Sequence, residues 1–290
     1  MSRFRQGLEL AGISWRTIVS DKSLAVFPVL GAISAVAPTA AFVIPGLFLV
    51  GADSASAGAG TWIGIVLFVI AAYLAAFVGI FFSVALASCA YRSLQGEDTT
   101  VREGIAAARQ RIPQIAGWAA VTTTVNLIIR AIEARFQGVG GAIVAALGGL
   151  AWALVTFLAV PVITFEGTGP WQTLKRSSGL FRQRWGQQVV GLGVTTGVVA
   201  LFGVLPGIVA VFFGIALLPG ALGITLIALG ALAIIVGSII SATLSQVLAV
   251  ALYRFAADGV AVGPFTEAQL NSVVQPRGRR GRRGGDEAPA

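Results

Sequence analysis

The chain has 290 residues, of which 56% are hydrophobic and only 11% are charged. A soluble domain carries about a quarter charged residues, so this composition argues against a water-soluble enzyme. The net charge is +8, with one cysteine and no histidine, which excludes an intramolecular disulfide and removes the commonest metal ligand and general base. We therefore expect an all-α, polytopic membrane helix bundle that has no metal, no cofactor and no catalytic residue.

Charge-free stretches long enough to cross a bilayer divide the chain, because a spanning helix needs about 20 apolar residues. The longest stretch, Trp185 to Tyr253, has room for two or three spans and contains Pro206-Gly207 and Pro219-Gly220. Segment 206–219 is too short to cross a core of about 30 Å, so it is either a kinked extension of the fifth span or an outer-interface segment. The predicted spans are 24–50, 62–90, 113–132, 140–165, 188–215 and 221–252.

The distribution of positive charge predicts the orientation, since cytoplasmic loops retain Lys and Arg. With six spans and a cytoplasmic N-terminus, every one of the 20 basic residues except Arg130 and Arg135 falls on the cytoplasmic side. Residues 1–255 then form one transmembrane domain in a bacterial-type plasma membrane. Residues 256–290 form a cytoplasmic tail, in which the Arg-rich run 276–285 is expected to be disordered and to lie near lipid rather than nucleic acid.

Three segments on the predicted cytoplasmic side have the pattern of short basic amphipathic helices that lie in the membrane interface. The first is the N-terminal segment. The second runs from about Thr99 to Arg111, with Asp98 or Thr99 as its N-cap, and the third runs from Pro170 to Trp185. Each precedes a pair of spans, which suggests three repeated helix-hairpin units.

Small residues at regular spacing predict where helices approach each other closely. In the sixth span Gly223, Gly230 and Gly237 recur every seven residues and continue into Ser241 and Ser245. We interpret this stripe as packing within the chain, in preference to a homodimer face. A second stripe in the fourth span comprises Gly141, Ala145 and Gly149.

The first span contains three prolines, which predict a kink. They are Pro28, Pro38 and Pro45.

A polar cluster at the outer end of the third span comprises Asn126, Arg130, Glu133 and Arg135. Arg130 and Glu133 are three residues apart on one helical face, so they could form an outer gate or an interfacial ion pair, and we favour the ion pair. Asn126 lies deeper, where an amide commonly bonds to a neighbouring helix.

A second group of charged residues is predicted at the inner interface, where it would contact anionic lipid headgroups or fix how the interface helices dock. The acids Asp21 and Glu166 could pair with the basic helices. The full group is Asp21, Lys22, Glu166, Lys175, Arg176, Arg182 and Arg184.

Several motifs together resemble a family of uncharacterised six-helix integral membrane proteins of bacteria and archaea. The resemblance covers roughly residues 1 to 255 and implies a fold but no known activity. More distantly, the pattern is similar to membrane domains fused to glycerophosphodiester phosphodiesterases, whose catalytic domain and metal ligands this chain lacks. The residues that carry it are Trp15, Asp21 to Pro28, Arg130 to Glu133, Pro161-Val162, Glu166-Gly167, Leu174 to Ser177 and Trp185-Gly186.

Two functions are consistent with this sequence. The first is a non-enzymatic protein that organises or senses lipid or supports a protein partner. The second is a transporter or permease for a small or apolar substrate, which would use the kinked first span, Asn126 and the Arg130/Glu133 pair.

Overall fold

The computed structural model describes residues 23–52, 58–136, 139–185, 204–218 and 220–259, and all regular structure in these parts is helical. This confirms the predicted all-α class. The N-terminal interface segment, the first half of the fifth predicted span and the tail beyond residue 259 lie outside the described residues. The helices are α1 (Ser23–Ala52), α2 (Ala59–Leu94), α3 (Val101–Arg109), α4 (Ile112–Glu133), α5 (Val139–Thr156), α6 (Ala159–Glu166), α7 (Pro170–Trp185), α8 (Leu205–Ala216) and α9 (Ala221–Asp258).

Five helical segments are long and apolar enough to cross a membrane. They correspond to α1, α2, α4, the pair α5–α6 and α9, and each overlaps a predicted span. The 12-residue helix α8 covers only the last part of the fifth predicted span. Helix α9 has 38 residues, or about 57 Å at 1.5 Å per residue, so it extends beyond a hydrocarbon core of about 30 Å.

The fourth predicted span is divided, because the helix is interrupted at Phe157 and Leu158 between α5 and α6. Pro161 lies four residues after Phe157, and proline has no N–H to donate to that carbonyl. Helix α1 behaves differently and stays helical through its three prolines. It packs along α2, where a Cβ atom at Gly64 would lie 2.9 Å from the carbonyl oxygen of Gly46.

The hydrophobic core lies at one end of the bundle, which we call the packed end. There the N-termini of α1 and α4, the C-termini of α2 and α9, and helices α3, α6 and α7 converge around buried side chains such as Phe27, Ile115 and Leu252. The opposite, open end contains the C-termini of α1 and α4 and the turn between α8 and α9. Its large apolar side chains are exposed, as at Phe48 (74%) and Phe212 (69%), and in a membrane they face lipid.

The glycine stripe of α9 packs against α8. A Cβ atom at Gly230 would lie 2.7 Å from the carbonyl oxygen of Gly207, and one at Gly223 would lie 2.8 Å from that of Gly214. The interpretation as packing within the chain is confirmed for these glycines. The stripe in the fourth span packs closely only at Gly141, where a Cβ atom would lie 2.9 Å from the carbonyl oxygen of Glu133 at the end of α4. The predicted packing face is wrong at Gly149, where a Cβ atom meets nothing within 4 Å.

Helix α3 (Val101–Arg109) begins two residues later, and ends two residues earlier, than the predicted segment from Thr99 to Arg111. Its N-cap is Thr100, which forms a capping box with Glu103, so the predicted caps Asp98 and Thr99 are wrong. Hydrogen bonds from Thr100, followed by one from Arg92, lower the pKa of Glu103. The buried face of α3 includes Gly104, where a Cβ atom would lie 2.8 Å from the Sγ of Cys89, so α3 lies directly on the packed end.

Candidate functional site at the packed end

The amphipathic helix α7 is set at the packed end by a tight turn that follows α6. Gly167 ends α6 in the left-handed conformation (φ +63°), and its N–H donates to the carbonyl of Ile163 at 3.1 Å. The side chain of Gln114 in α4 donates to the carbonyl oxygen of Gly167 at 3.2 Å. The turn is therefore held by α4, and α7 begins three residues later at Pro170.

One face of α7 is buried and the other is exposed. Thr173, Ser177 and Leu180 are buried at helical spacing, and the Ser177 hydroxyl donates to the carbonyl of Val155 at 2.6 Å. On the other face Trp171 is 66% exposed, and the Nζ of Lys175 lies 5.6 Å from its ring centroid. This outer face combines an amphipathic aromatic ring with a cation.

Glu166 joins α6, α7 and α9. Its Oε1 accepts a hydrogen bond from the Nε of Arg176 at 2.8 Å and another from the hydroxyl of Tyr253 at 2.8 Å. The hydrogen bond to Glu166 raises the pKa of Arg176. The structure thus brings together Glu166 and Arg176, two of the predicted inner-interface residues.

The guanidinium of Arg254 packs against two aromatic rings that also contact each other. Its Cζ is 4.0 Å from the ring centroid of Tyr91 and 4.5 Å from that of Phe165, and its Nη1 forms an ion pair with Asp258 at 2.9 Å. Phe165 also stacks on Tyr253, with ring centroids 5.5 Å apart. Rings from α2 and α6 therefore pack against one cation near the end of α9.

Sequence reasoning missed Tyr91, Tyr253 and Arg254. A signal was present, because the second and last spans both end with the dipeptide Tyr-Arg, at Tyr91-Arg92 and Tyr253-Arg254. In both dipeptides the arginine forms an ion pair with an acidic residue that follows it in the chain, as Arg254 does with Asp258. Arg92 forms ion pairs with Glu97 at 2.8 Å and Glu103 at 3.3 Å, which connect α2 to α3.

The predicted outer cluster lies at the open end, far along α4 from the contacts of Glu166 and Arg254 at the packed end. Asn126, Arg130 and Arg135 are exposed, and Glu133 is half-buried. Arg130 and Glu133 form no ion pair with each other, although both are described, so the favoured interfacial pair is wrong for this structure. An apolar cleft at the same end contains no residue of this cluster. It is lined by four residues of α1, namely Ile44, Leu47, Phe48 and Gly51.

The remaining predicted inner-interface residues are only partly visible. Asp21 and Lys22 lie outside the described residues. The structure describes α7 through Arg182 and Arg184 but not their side chains. In the parts that are described, no group of three or more His, Cys, Asp or Glu side chains is placed to hold a metal ion.

A fold of several long apolar helices, sealed at one end by amphipathic helices and ion pairs, defines a multi-pass α-helical membrane protein. The chain belongs to a family of unknown function, DUF6159, which matches residues 60–263. This agrees with the expected resemblance to an uncharacterised family. No curated protein and no solved structure matches the chain.

Proposed function

We propose that the protein is a non-enzymatic plasma-membrane protein of a bacterial type that binds anionic lipid headgroups at its packed end and so organises lipid or supports a protein partner. The carrying observation is the outer face of α7, where Lys175 and Arg176 are exposed beside the interfacial ring of Trp171. Aromatic rings and cations of this kind are typical of the boundary between hydrocarbon and headgroups.

The exposed cations of α3 support the same proposal. Arg102 and Arg109 are seven residues apart on one face of α3, opposite the buried Gly104 and Ala108, and both are exposed. Together with α7 they give the packed end a set of basic side chains, which we call the basic collar and define as Arg102, Arg109, Lys175 and Arg176. Nucleic acid is not expected, because these cations surround apolar spans rather than a nucleic-acid-binding fold.

Removing charge from the basic collar should weaken binding of anionic lipid. Each Lys or Arg near an anionic surface contributes about 1 kcal/mol, so the triple variant Arg102→Gln/Arg109→Gln/Lys175→Gln should bind about 100-fold more weakly. The measurement is the thermal stabilisation of the purified protein by dioctanoyl phosphatidylglycerol, compared with dioctanoyl phosphatidylcholine. Arg135→Gln, which removes a charge at the open end, is the control. Equal stabilisation of the triple variant and the control would refute the proposal.

The proposed orientation places the packed end and both termini in the cytoplasm. It is supported by the Lys and Arg distribution, because all basic residues except Arg130 and Arg135 are on this side when six spans are counted. A cysteine introduced at Ala290 should therefore stay unlabelled by a membrane-impermeant maleimide in intact cells and become labelled after permeabilisation. Labelling in intact cells would refute the cytoplasmic placement of the C-terminus.

A transporter or permease for a small or apolar substrate is the second candidate. The observation that favours it is the exposure of Asn126 and Arg130 within a span, at the end where the described helices do not close around them. Catalysis is not part of either proposal.

A further inference from the structure

Three residues of the outer polar cluster, Asn126, Arg130 and Glu133, lie on α4. They are on the face of that helix that is buried at the packed end. Ile115, Ala119 and Thr123 follow one another at four-residue spacing and are 0%, 0% and 7% exposed. Asn126 and Arg130 continue the same face at spacings of three and four, yet both are exposed. Among the residues that the structure describes, this face is therefore covered at the packed end and exposed at the open end.

The neighbouring helices show which way this face points. On one side of it, the Tyr73 hydroxyl of α2 donates to the carbonyl of Ala116 at 3.4 Å. On the other side, Trp118 stacks on Trp152 of α5, with ring centroids 6.1 Å apart. The polar face lies between these two contacts and thus faces the space between α2 and α5.

At the depth of Asn126, the opposite face of α4 is apolar and faces lipid. Leu127 and Ile128 are 39% and 52% exposed and apolar. Thr124 on that face donates to the carbonyl of Ala120 at 2.8 Å, which hides its hydroxyl from hydrocarbon. Polar side chains without such a bond are thus confined to the inward face.

The base of this inward face contains a polar atom without a partner. The Oγ1 of Thr123 is buried and has no hydrogen-bond partner among the described residues, and its side chain lies directly beneath Asn126 on the helix. A buried hydroxyl that makes no hydrogen bond costs free energy, so such groups normally contact water or a ligand.

We infer that the inward face of α4 lines a water-filled crevice that opens at the open end and binds a small zwitterion. Arg130 contacts the anionic group of the ligand, Glu133 contacts its cationic group, and Asn126 and Thr123 supply hydrogen bonds deeper in the crevice. A simple anion fits less well, because Glu133 would face it without compensation. The required chemistry occurs in a soluble zwitterion and in the headgroup of phosphatidylethanolamine.

This inference does not depend on the basic collar, which is at the other end of the bundle. For the second candidate function, a transporter or permease, this crevice is the substrate-binding site. A test at the open end can therefore fail while lipid binding at the packed end stands, and the reverse is equally possible.

Cysteine accessibility tests the crevice. The only native cysteine, Cys89, is buried, so the unaltered protein gives a low background. In lipid nanodiscs Asn126→Cys should react with a charged maleimide at least tenfold faster than Leu127→Cys, which has nearly the same depth but faces lipid, because a thiol reacts as its thiolate in water. Equal rates at the two positions would overturn the crevice.

Thermal stabilisation of the purified protein tests the ligand. Glycerophosphoethanolamine should stabilise it and glycerol 3-phosphate should not. The apparent affinity should fall at least about tenfold in Arg130→Gln and Glu133→Gln and remain unchanged in Arg135→Gln. Stabilisation by dioctanoyl phosphatidylethanolamine but not by the soluble probe would assign the site to a lipid headgroup. Absence of stabilisation by both zwitterions, or equal stabilisation of Glu133→Gln, would overturn the ligand assignment.

Discussion

Replacing Gly230 with valine should separate α8 from α9. The new Cβ would lie 2.7 Å from the carbonyl oxygen of Gly207 and 2.9 Å from the amide nitrogen of Val211, and both atoms belong to the α8 backbone. A helix backbone cannot yield as a side chain can, so the two helices must move apart. We expect a loss of about 3 kcal/mol, at the upper end of overpacking costs, and a fall in Tm of about 10 °C.

The control for this substitution is Gly149→Val in α5. It introduces the same side chain into another apolar helix, where a Cβ atom meets nothing within 4 Å. We expect a change below about 0.5 kcal/mol, as for an unpacked surface position. Tryptophan fluorescence during heating in detergent measures both variants, and equal losses of Tm in the two would show that α8 and α9 do not pack through Gly230.

These two glycines also show what sequence could predict about helix packing. Both belong to regularly spaced small-residue stripes, and spacing alone treats the stripes alike. The stripe in α9 meets a neighbouring backbone at both Gly223 and Gly230, because an antiparallel α8 places Gly207 and Gly214 at matching heights, whereas Gly149 in the α5 stripe meets none. Sequence indicates which residues permit close approach, whereas the position of the neighbour depends on tertiary structure.

The long apolar helices were predictable, since hydrocarbon requires runs of apolar residues whatever the neighbours are. The interruption between α5 and α6 lies where Pro161 lacks an N–H, but proline alone could not predict it, since α1 stays helical through three prolines. The exact cap of α3 could have been predicted, because of Asp98, Thr99 and Thr100 only Thr100 is followed three residues later by a glutamate, in the capping-box spacing. The choice depends on Glu103, which reaches the backbone N–H of Thr100 at 3.0 Å.

The junction at the packed end was predicted only in part. A surface acid among basic helices indicated that Glu166 would meet a cation, and it contacts Arg176. The contacts of Arg254 with two rings bring together residues 91, 165 and 254, which are far apart in the chain. No local pattern encodes that meeting, although Tyr-Arg at the end of two spans marks both residues as unusual.

Replacing Arg254 with alanine should destabilise the packed end more than any other single charge removal that we propose. Its guanidinium contacts two rings at 4.0 and 4.5 Å and is only 23% exposed as a side chain. Partly desolvated cation–π contacts contribute about 1 to 2 kcal/mol each, so we expect a loss of about 3 kcal/mol once packing is included. Arg254→Lys should recover less than half of it, because an ammonium cannot stack on a ring as a planar guanidinium can.

Asp258→Asn is the matched control, since it removes the ion pair of Arg254 but leaves the rings in place. That pair is four residues apart on an exposed helix end, and such pairs contribute about 0.3 to 0.5 kcal/mol. Thermal unfolding of Arg254→Ala, Phe165→Leu and the double variant then gives the coupling free energy directly. Additive losses, or an Arg254→Ala loss no larger than that of Asp258→Asn, would show that the ring contacts contribute nothing. A coupling above about 1 kcal/mol would show that they join α6 to α9 together with the hydrogen bond from Tyr253 to Glu166.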